Sequence, residues 1–501
     1  MMKKDIRDDE KMKRRIMLLM LLVLLALALP LTAGTETKSG TFSASEPTCT
    51  ESGYSVIEEQ GVIHFEEIPA IGHQFSSWMI DQEANAKTHI CQRCGYQETI
   101  RLSSIPEDSI PKLEMNGSLD GIGKKSKVVL SVTYTDSEQS FQCYGILTLQ
   151  GHSTFGLEKK NYTLRFYDDA TGEKKHRVVF RNWNKEHKYI LKANYIDVSQ
   201  CRNLVGAEIW SSIVQTRTVI PDRLSCLPTF GAVDGFPIAV YLNGDFYGLY
   251  TLNLHKDDDL YQMKKGKQEA LLICNAQTAD EALFRSAAMF ADDYTSDWEV
   301  EFCGTEDASW AQERFNQFIS FVMNSSDQEF REHLDDYLDV DAAIDYLIFI
   351  YALGLKDSGA KNLVILSFGD QWIPSAYDMD EAFGLDAEDS AYRNPEAFLP
   401  SLSNGTWDSG TGSLLWDRIL NHFFEQLKER YLDLRGGPLS DDSLLSRYHS
   451  YISQIPESFF DYDWYLYPGR LFRFWEMEQQ IEQYIPARMA ILDELFEGGR
   501  E

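Results

Sequence analysis

The sequence predicts an α+β protein. Short runs rich in β-branched and aromatic residues, separated by turn residues, crowd positions 127 to 254, while apolar residues at helical spacing dominate from about Ser309 to the end. With 44% hydrophobic residues in a 501-residue chain, there is apolar material for one large core, and one big domain with a small satellite fits better than many modules. The formal net charge of −31 excludes attraction to nucleic acid or anionic lipid as the organising interaction; metal ions and basic partners suit it.

The amino end reads as a secretory signal over residues 1–34. Lys3, Lys4, Lys11, Lys13, Arg14 and Arg15 form a positive start, Ile16 to Leu29 is apolar, and Pro30 to Gly34 ends in small residues. The apolar run is shorter than the roughly 20 residues that cross a bilayer, so cleavage rather than a stable transmembrane anchor is expected, and the protein is expected to be secreted and extracellular or associated with the cell surface. Residues 35–48, rich in Ser and Thr, read as a linker. A small cysteine module follows at 49–104, with PTCTESGYSVI, IPAIGHQFSSW and HICQRCGYQETI. These stretches resemble the small cysteine-containing repeats of exported bacterial proteins. The resemblance implies a tetrahedral zinc site from Cys49, His73, Cys91 and Cys94, since thiolates and imidazole suit that ion; a disulfide or plain thiols are the alternatives. Residues 105–124, with Pro106 and Pro111, read as a second linker.

KVVLSVTY, FQCYGILTLQG, KNYTLRFYD, HRVVFRNW and HKYILKANY then read as strands of an antiparallel sheet. A helix follows, capped by Asp197 or Ser199, with Leu204, Ala207, Ile209, Trp210, Ile213 and Val214 on its apolar face. FPIAVYLNGDFYGLYTLNL is a hairpin turning at Asn243 and Gly244, a dipeptide that accepts the left-handed angles of a tight turn. The run Lys256 to Asp259 reads as a solvated loop, with metal or a basic substrate as the alternative. In DVDAAIDYLIFIYALGLKD, the residues Ile344, Leu347, Ile348, Tyr351 and Leu355 form one core-facing stripe, on a helix that delivers Asp357 to its carboxyl end. KNLVILSF and QWIPSAYDM then form a hairpin about Gly369 and Asp370.

The chemistry is concentrated in DSGAKN and SAYDMDEAFG, which place Asp357 and Asn362 five apart and return Asp378 and Asp380 beyond a short strand. Carboxylates plus an amide oxygen can hold the divalent cations that neutralise nucleotide phosphates, while one Asp orients an attacking hydroxyl. No HExxH, GxSxG or Walker-type phosphate loop accompanies them.

Through GHSTFGLEKKNYTLRFYD, YILKANYIDVSQCRN, GFPIAVYLNGDFYGLYTL, KDSGAKN and WIPSAYDMDEAFG, the chain resembles the CotH kinase family, named after a spore coat protein. The resemblance implies a divergent protein-kinase-like two-lobed fold over 125–435, with a β-rich amino lobe, a helical carboxyl lobe and a helical extension at 436–501. It implies that Asp357 takes the part of the kinase catalytic-loop Asp and Asn362 that of the metal-binding Asn, with Asp378 or Asp380 holding magnesium. Lys160, at the start of a strand, is the expected phosphate-binding cation, with Arg165 the second choice; Arg202 is a further nucleotide contact or a structural ion pair. The implied cofactors are ATP and Mg2+ or Mn2+, and the implied partner is an exported or surface protein whose hydroxyl side chains accept the γ-phosphoryl group. The alternative is a catalytically weak or inactive structural protein of the cell surface or spore coat. The chain departs from many members at Gln150, His152, Phe155 and Leu254, which stand where an Arg, an Asn, a Trp and a Glu are common. Hairpin register gives a separate check: a three-residue turn at Gly369–Gln371 sets Asn362 opposite Asp378, where both could share a cation, whereas a two-residue turn sets it opposite Tyr377 and that arrangement fails.

Overall fold

The computed structural model describes residues 41–59, 62–76, 79–81, 86–101, 109–151, 153–290, 297–386 and 391–497. The signal segment, residues 35–40 of the first linker, residues 102–108 and His152 lie outside the described residues. The chain divides into two units, Met1–Arg101 and Leu102–Glu501.

In the first unit, β1 (Thr41–Ser45), β2 (Gly53–Glu59) and β3 (Val62–Ile68) form one antiparallel sheet; β4 (Met79–Asp81), β5 (Ala86–Ile90) and β6 (Gln97–Arg101) form another. Strand β1 falls inside the stretch read as the first linker.

In the second unit, seven strands close into a barrel: β7 (Lys112–Asn116), β8 (Val128–Thr135), β9 (Ser140–Gln150), β10 (Asn161–Tyr167), β11 (Lys188–Lys192), β12 (Gly235–Leu242) and β13 (Asp245–Leu254), in the order β10-β11-β13-β12-β7-β8-β9. All pairs are antiparallel except β12 with β7. Alternation sends Leu130, Val132, Tyr134, Leu164, Tyr189 and Leu191 inward, where they meet Ile238 and Val240. Two expectations are corrected. Residues 112–116 are a barrel strand, not linker, because Leu113 and Met115 alternate into the core with no exposed surface. HRVVFRNW is not a strand; it makes one isolated bridge, Val178 with Glu186, and its Val178, Phe180 and Trp183 pack into the barrel core instead. The expected hairpin turn holds, with left-handed Asn243 (φ 53°) and Gly244 (φ 91°).

A second sheet runs β15-β14-β16-β17, from β14 (Ala270–Cys274), β15 (Trp298–Cys303), β16 (Val364–Ser367) and β17 (Ile373–Ser375). Beside it runs the Val340–Leu353 helix, buried from Ala342 through Leu353. It is apolar on every side, so it is a central core helix rather than a one-striped surface one. Its one buried acid, Asp345, is clamped by Arg217 at 2.6 Å and Arg430 at 2.7 Å. The chain beyond 410 is helical as expected, in Leu414–His422, Phe424–Arg435, Asp441–Ile452, Glu457–Leu466 and Phe474–Glu497. The Glu457–Leu466 helix packs on β13, so the segment read as an appended extension is bound to the barrel. Among the described residues, no helix is long and apolar enough to cross a membrane.

Candidate functional site

The central helix stops before Asp357. Gly354 takes the left-handed cap (φ 70°), its N–H returns to Ile350 and Tyr351, and Asp357 opens a 3-10 turn, Asp357–Gly359. That turn is pinned from inside the core: the Tyr346 hydroxyl donates to Ser358 O and the Trp416 indole N–H to Gly359 O, each at 2.8 Å. The Asp357 carboxylate is buried and accepts from Gln277 Nε2 at 2.7 Å and Lys361 Nζ at 2.9 Å.

The hairpin register differs from the favourable case. Val364 pairs with Ser375, Ile365 with Pro374 and Leu366 with Ile373, which when continued sets Asn362 opposite Tyr377 and not Asp378. The ladder ends at Val364 and Ser375, and the residues beyond it abandon extended geometry: Asn362 (φ 68°) and Asp378 (φ 53°) are both left-handed. Pleat alternation therefore no longer dictates where their side chains lie. Asn and Asp are among the few non-glycine residues that tolerate this region, and such backbone outliers cluster at functional sites. Next in sequence, Met379 N–H is fixed by Asn203 Oδ1 at 2.8 Å.

Asp378 meets a residue that the sequence reading missed. Lys192, the last residue of β11, makes a direct ion pair with the Asp378 carboxylate. Burial works against the ammonium charge, but Asp378 and Asp380 outweigh it and hold Lys192 above its ordinary pKa. Burial likewise opposes the Asp378 charge, while Lys192, Lys361 and Lys256 hold its carboxyl below the usual range. For Asp380, burial and the Asp378 charge outweigh the attraction of Lys192 and push it up to about 7. Lys361 thus joins the halves of the site, hydrogen-bonded to Asp357 and acting on Asp378. The three acids do not gather three oxygens within 4.8 Å of one another. Asp357 is bound by Gln277 and Lys361, whereas Asp378 is bound by Lys192. YILKAN carried the signal for Lys192: an isolated lysine closing an apolar strand.

Of the cations expected from sequence, Lys160 and Arg202 are engaged within the fold. Lys160 Nζ donates to the carbonyls of Phe155, at 2.9 Å, and Leu157, closing its own loop. Its neighbour Lys159 is the buried one, bound to Asp463 at 2.9 Å, to Ala193 O at 2.9 Å and to Leu249 O. Burial lowers Lys159 to about 8 despite Asp463. Arg202 is fully enclosed; its guanidinium lies 3.4 Å from Asp197 and donates to Gln480 at 2.8 Å and to Ala382 O, the contacts of a strut between elements. Arg165 pairs in the ladder with Lys188, at the opposite end of β11 from Lys192. The helix opens at Arg202 with Cys201, not Asp197 or Ser199, in the cap position and no side-chain cap bond; Asp197 instead reaches from five residues upstream to accept the Arg202 N–H at 3.0 Å. At Leu254 the chain buries an aliphatic side chain in the barrel core.

The Lys256–Asp259 run is not a solvated loop. Asp257 is buried, 3.0 Å from both Lys188 and His255. Close by, Glu186, His187 and Asp259 bring one ligand atom each within 4.8 Å, with Arg177 3.6 Å from Glu186. None of the acids Asp357, Asp378 and Asp380 lines the cleft there, which Trp183, Lys188 and His255 border.

In the first unit, Cys49, His73, Cys91 and Cys94 bring their ligand atoms within 4.8 Å of one another. Burial opposes ionisation of Cys91, yet the Cys94 N–H, His73 and the N–H groups of Arg93 and Gln74 bring it down to about 5.

No curated protein matches the chain. The family described as CotH kinase protein matches residues 147–492, from within β9 into the final helix. That span is more than two thirds of the sequence and includes Lys192, Asp357, Asn362, Asp378 and Asp380, so the chain belongs to the CotH kinase family.

Proposed function

We propose that the chain transfers the terminal phosphoryl group of ATP to hydroxyl side chains of an exported or surface protein, on a divergent kinase-like frame with the barrel as amino lobe and the helical body as carboxyl lobe. The observation that carries this reading is the Lys192–Asp378 ion pair, formed by residues 186 positions apart and linked through Lys361 to Asp357. Magnesium or manganese would be held by Asp378, Asp380 and Asn362. The fit rests on Asp380, whose raised pKa marks more negative charge than Lys192 balances. A divalent cation there supplies neutralisation of nucleotide phosphates.

Lys192 offers its ammonium to those phosphates. Asp357, oriented by Gln277, accepts the proton of the acceptor hydroxyl as its oxygen bonds to the γ-phosphorus and the bond to the ADP oxygen breaks. Lys361 balances the carboxylate before that transfer. Incubating the secreted chain with labelled ATP, manganese and a generic basic acceptor protein tests the reading. Transfer no greater than that of Asp357→Ala and Asp378→Ala variants would sink it.

A second reading, an inactive kinase-fold component of a surface or coat assembly, is favoured by Leu254, buried where many family members carry a Glu. A thermal-shift titration separates the two, because a ligand that binds only the native state raises the unfolding temperature. No rise with ATP and manganese supports this second reading.

A further inference from the structure

Cys49 stands between β1 and β2, His73 between β3 and β4, and Cys91 and Cys94 between β5 and β6, so one small site gathers three separate segments of chain. We propose that these four residues form a structural zinc site, three thiolates and one imidazole, on which the folding of the first unit depends.

The distances fit a metal. With zinc–sulfur bonds of about 2.3 Å and zinc–nitrogen bonds of about 2.05 Å, a tetrahedron has sulfur–sulfur edges of about 3.8 Å and sulfur–nitrogen edges of about 3.6 Å. Cys49 Sγ lies 3.8 Å from Cys91 Sγ, and Cys94 Sγ lies 3.4 Å from His73 Nδ1. A disulfide needs sulfurs about 2.05 Å apart. All eight cysteines are unpaired in the structure.

The surroundings are built for the same purpose. Gly95, left-handed at φ 73°, returns its N–H to Cys91 O at 2.8 Å, closing the tight turn that brings Cys94 back beside Cys91. The Gln74 N–H donates to Cys91 Sγ at 3.4 Å, stabilising a thiolate. The Cys91–Phe75 bridge and the His73–Tyr96 stack, with centroids 4.9 Å apart, hold the imidazole segment against the Cys91–Cys94 turn.

Among the residues whose side chains are described there, the buried ones are Cys49, Ala86, His89 and Cys91, two of them ligands. Small units commonly rely on a metal or covalent cross-links for their stability. The match to the kinase family begins at residue 147 and leaves this unit outside it, so the zinc inference does not rest on the phosphotransferase reading.

The test uses the full secreted chain, purified in reducing buffer with zinc and then desalted. Elemental analysis is expected to give about one zinc per chain, and Cys91→Ser/Cys94→Ser less than about 0.1. His73→Ala is expected to lose zinc affinity by at least about tenfold, whereas His73→Cys, which has no ring to stack, keeps one zinc. Cobalt in place of zinc is expected to give thiolate charge-transfer absorption that changes in His73→Cys. Less than about 0.1 zinc in the parent chain, a Cys91–Cys94 disulfide in the secreted protein, or equal zinc loss in His73→Ala and His73→Cys would overturn the proposal.

Discussion

Replacing Asp380 by Asn removes one of two carboxylates that share a single lysine. Burial and the Asp378 charge raise Asp380 from 3.8 to about 7, so the folded chain holds its proton more tightly than the unfolded chain does. That contribution to stability is fully present below about pH 4 and is lost as pH rises through 7. A shift of about 3 units corresponds to about 4 kcal/mol, and titration shared with Asp378 and Lys192 brings the expected penalty at pH 8 to about 2–4 kcal/mol. The unit that contains Asp380 has about 400 residues, for which each kcal/mol moves Tm by about 1.2 °C. In chelator, Asp380→Asn is therefore expected to melt about 2–5 °C above the parent at pH 8 and level with it at pH 4. Added manganese is expected to reverse the order at pH 8, stabilising the parent and not the variant. Scanning fluorimetry across pH 4–8 reads both effects. A variant no more stable than the parent in chelator at pH 8 would refute the assignment of an uncompensated charge.

The remaining predictions concern the supports of the site. Asp357→Asn is expected to slow single-turnover transfer by about 10²–10⁴ while the thermal shift with manganese and ATP is kept, because it removes a proton acceptor and not a phosphate contact. Lys159→Met leaves Asp463 and Arg470 buried without their third charge, at side-chain exposures of 2% each. It is expected to cost about 1–3 kcal/mol in urea unfolding, and making Asp463 Leu as well is expected to cost about 3–5 kcal/mol more, because Arg470 is then buried without its carboxylate. Gly354→Ala puts a Cβ against the Tyr484 hydroxyl at a left-handed position. It is expected to cost about 1–3 kcal/mol and to lower transfer by displacing the Asp357 turn, with no change in the acceptor KM.

The α+β division and the Asn243–Gly244 hairpin were legible because each depends on neighbours within a few residues: strand composition and a turn dipeptide. The spacing of Asp357, Asn362, Asp378 and Asp380 was legible for the same reason, and so was the grouping of Cys49, His73, Cys91 and Cys94. Local chemistry failed for the lysines. Lys159 and Lys160 are adjacent and of one type, and which of them is buried depends on Asp463, some 300 positions away. Only the strand register of the folded barrel puts Lys192, rather than either of them, in reach of Asp378.

The sequence by itself determined which groups could do chemistry, since residue type and short spacing set protonation and ligand preference. Tertiary structure decided which of them meet. It spent Arg202 on a buried strut, turned Asn362 and Asp378 out of the ladder that would have fixed their faces, and left Asp380 with a charge that no lysine of its own neutralises. The physical reason is range: hydrogen bonding and backbone preference act over a few residues, whereas burial and Coulomb interaction depend on distances that exist only after the barrel and the helices have packed.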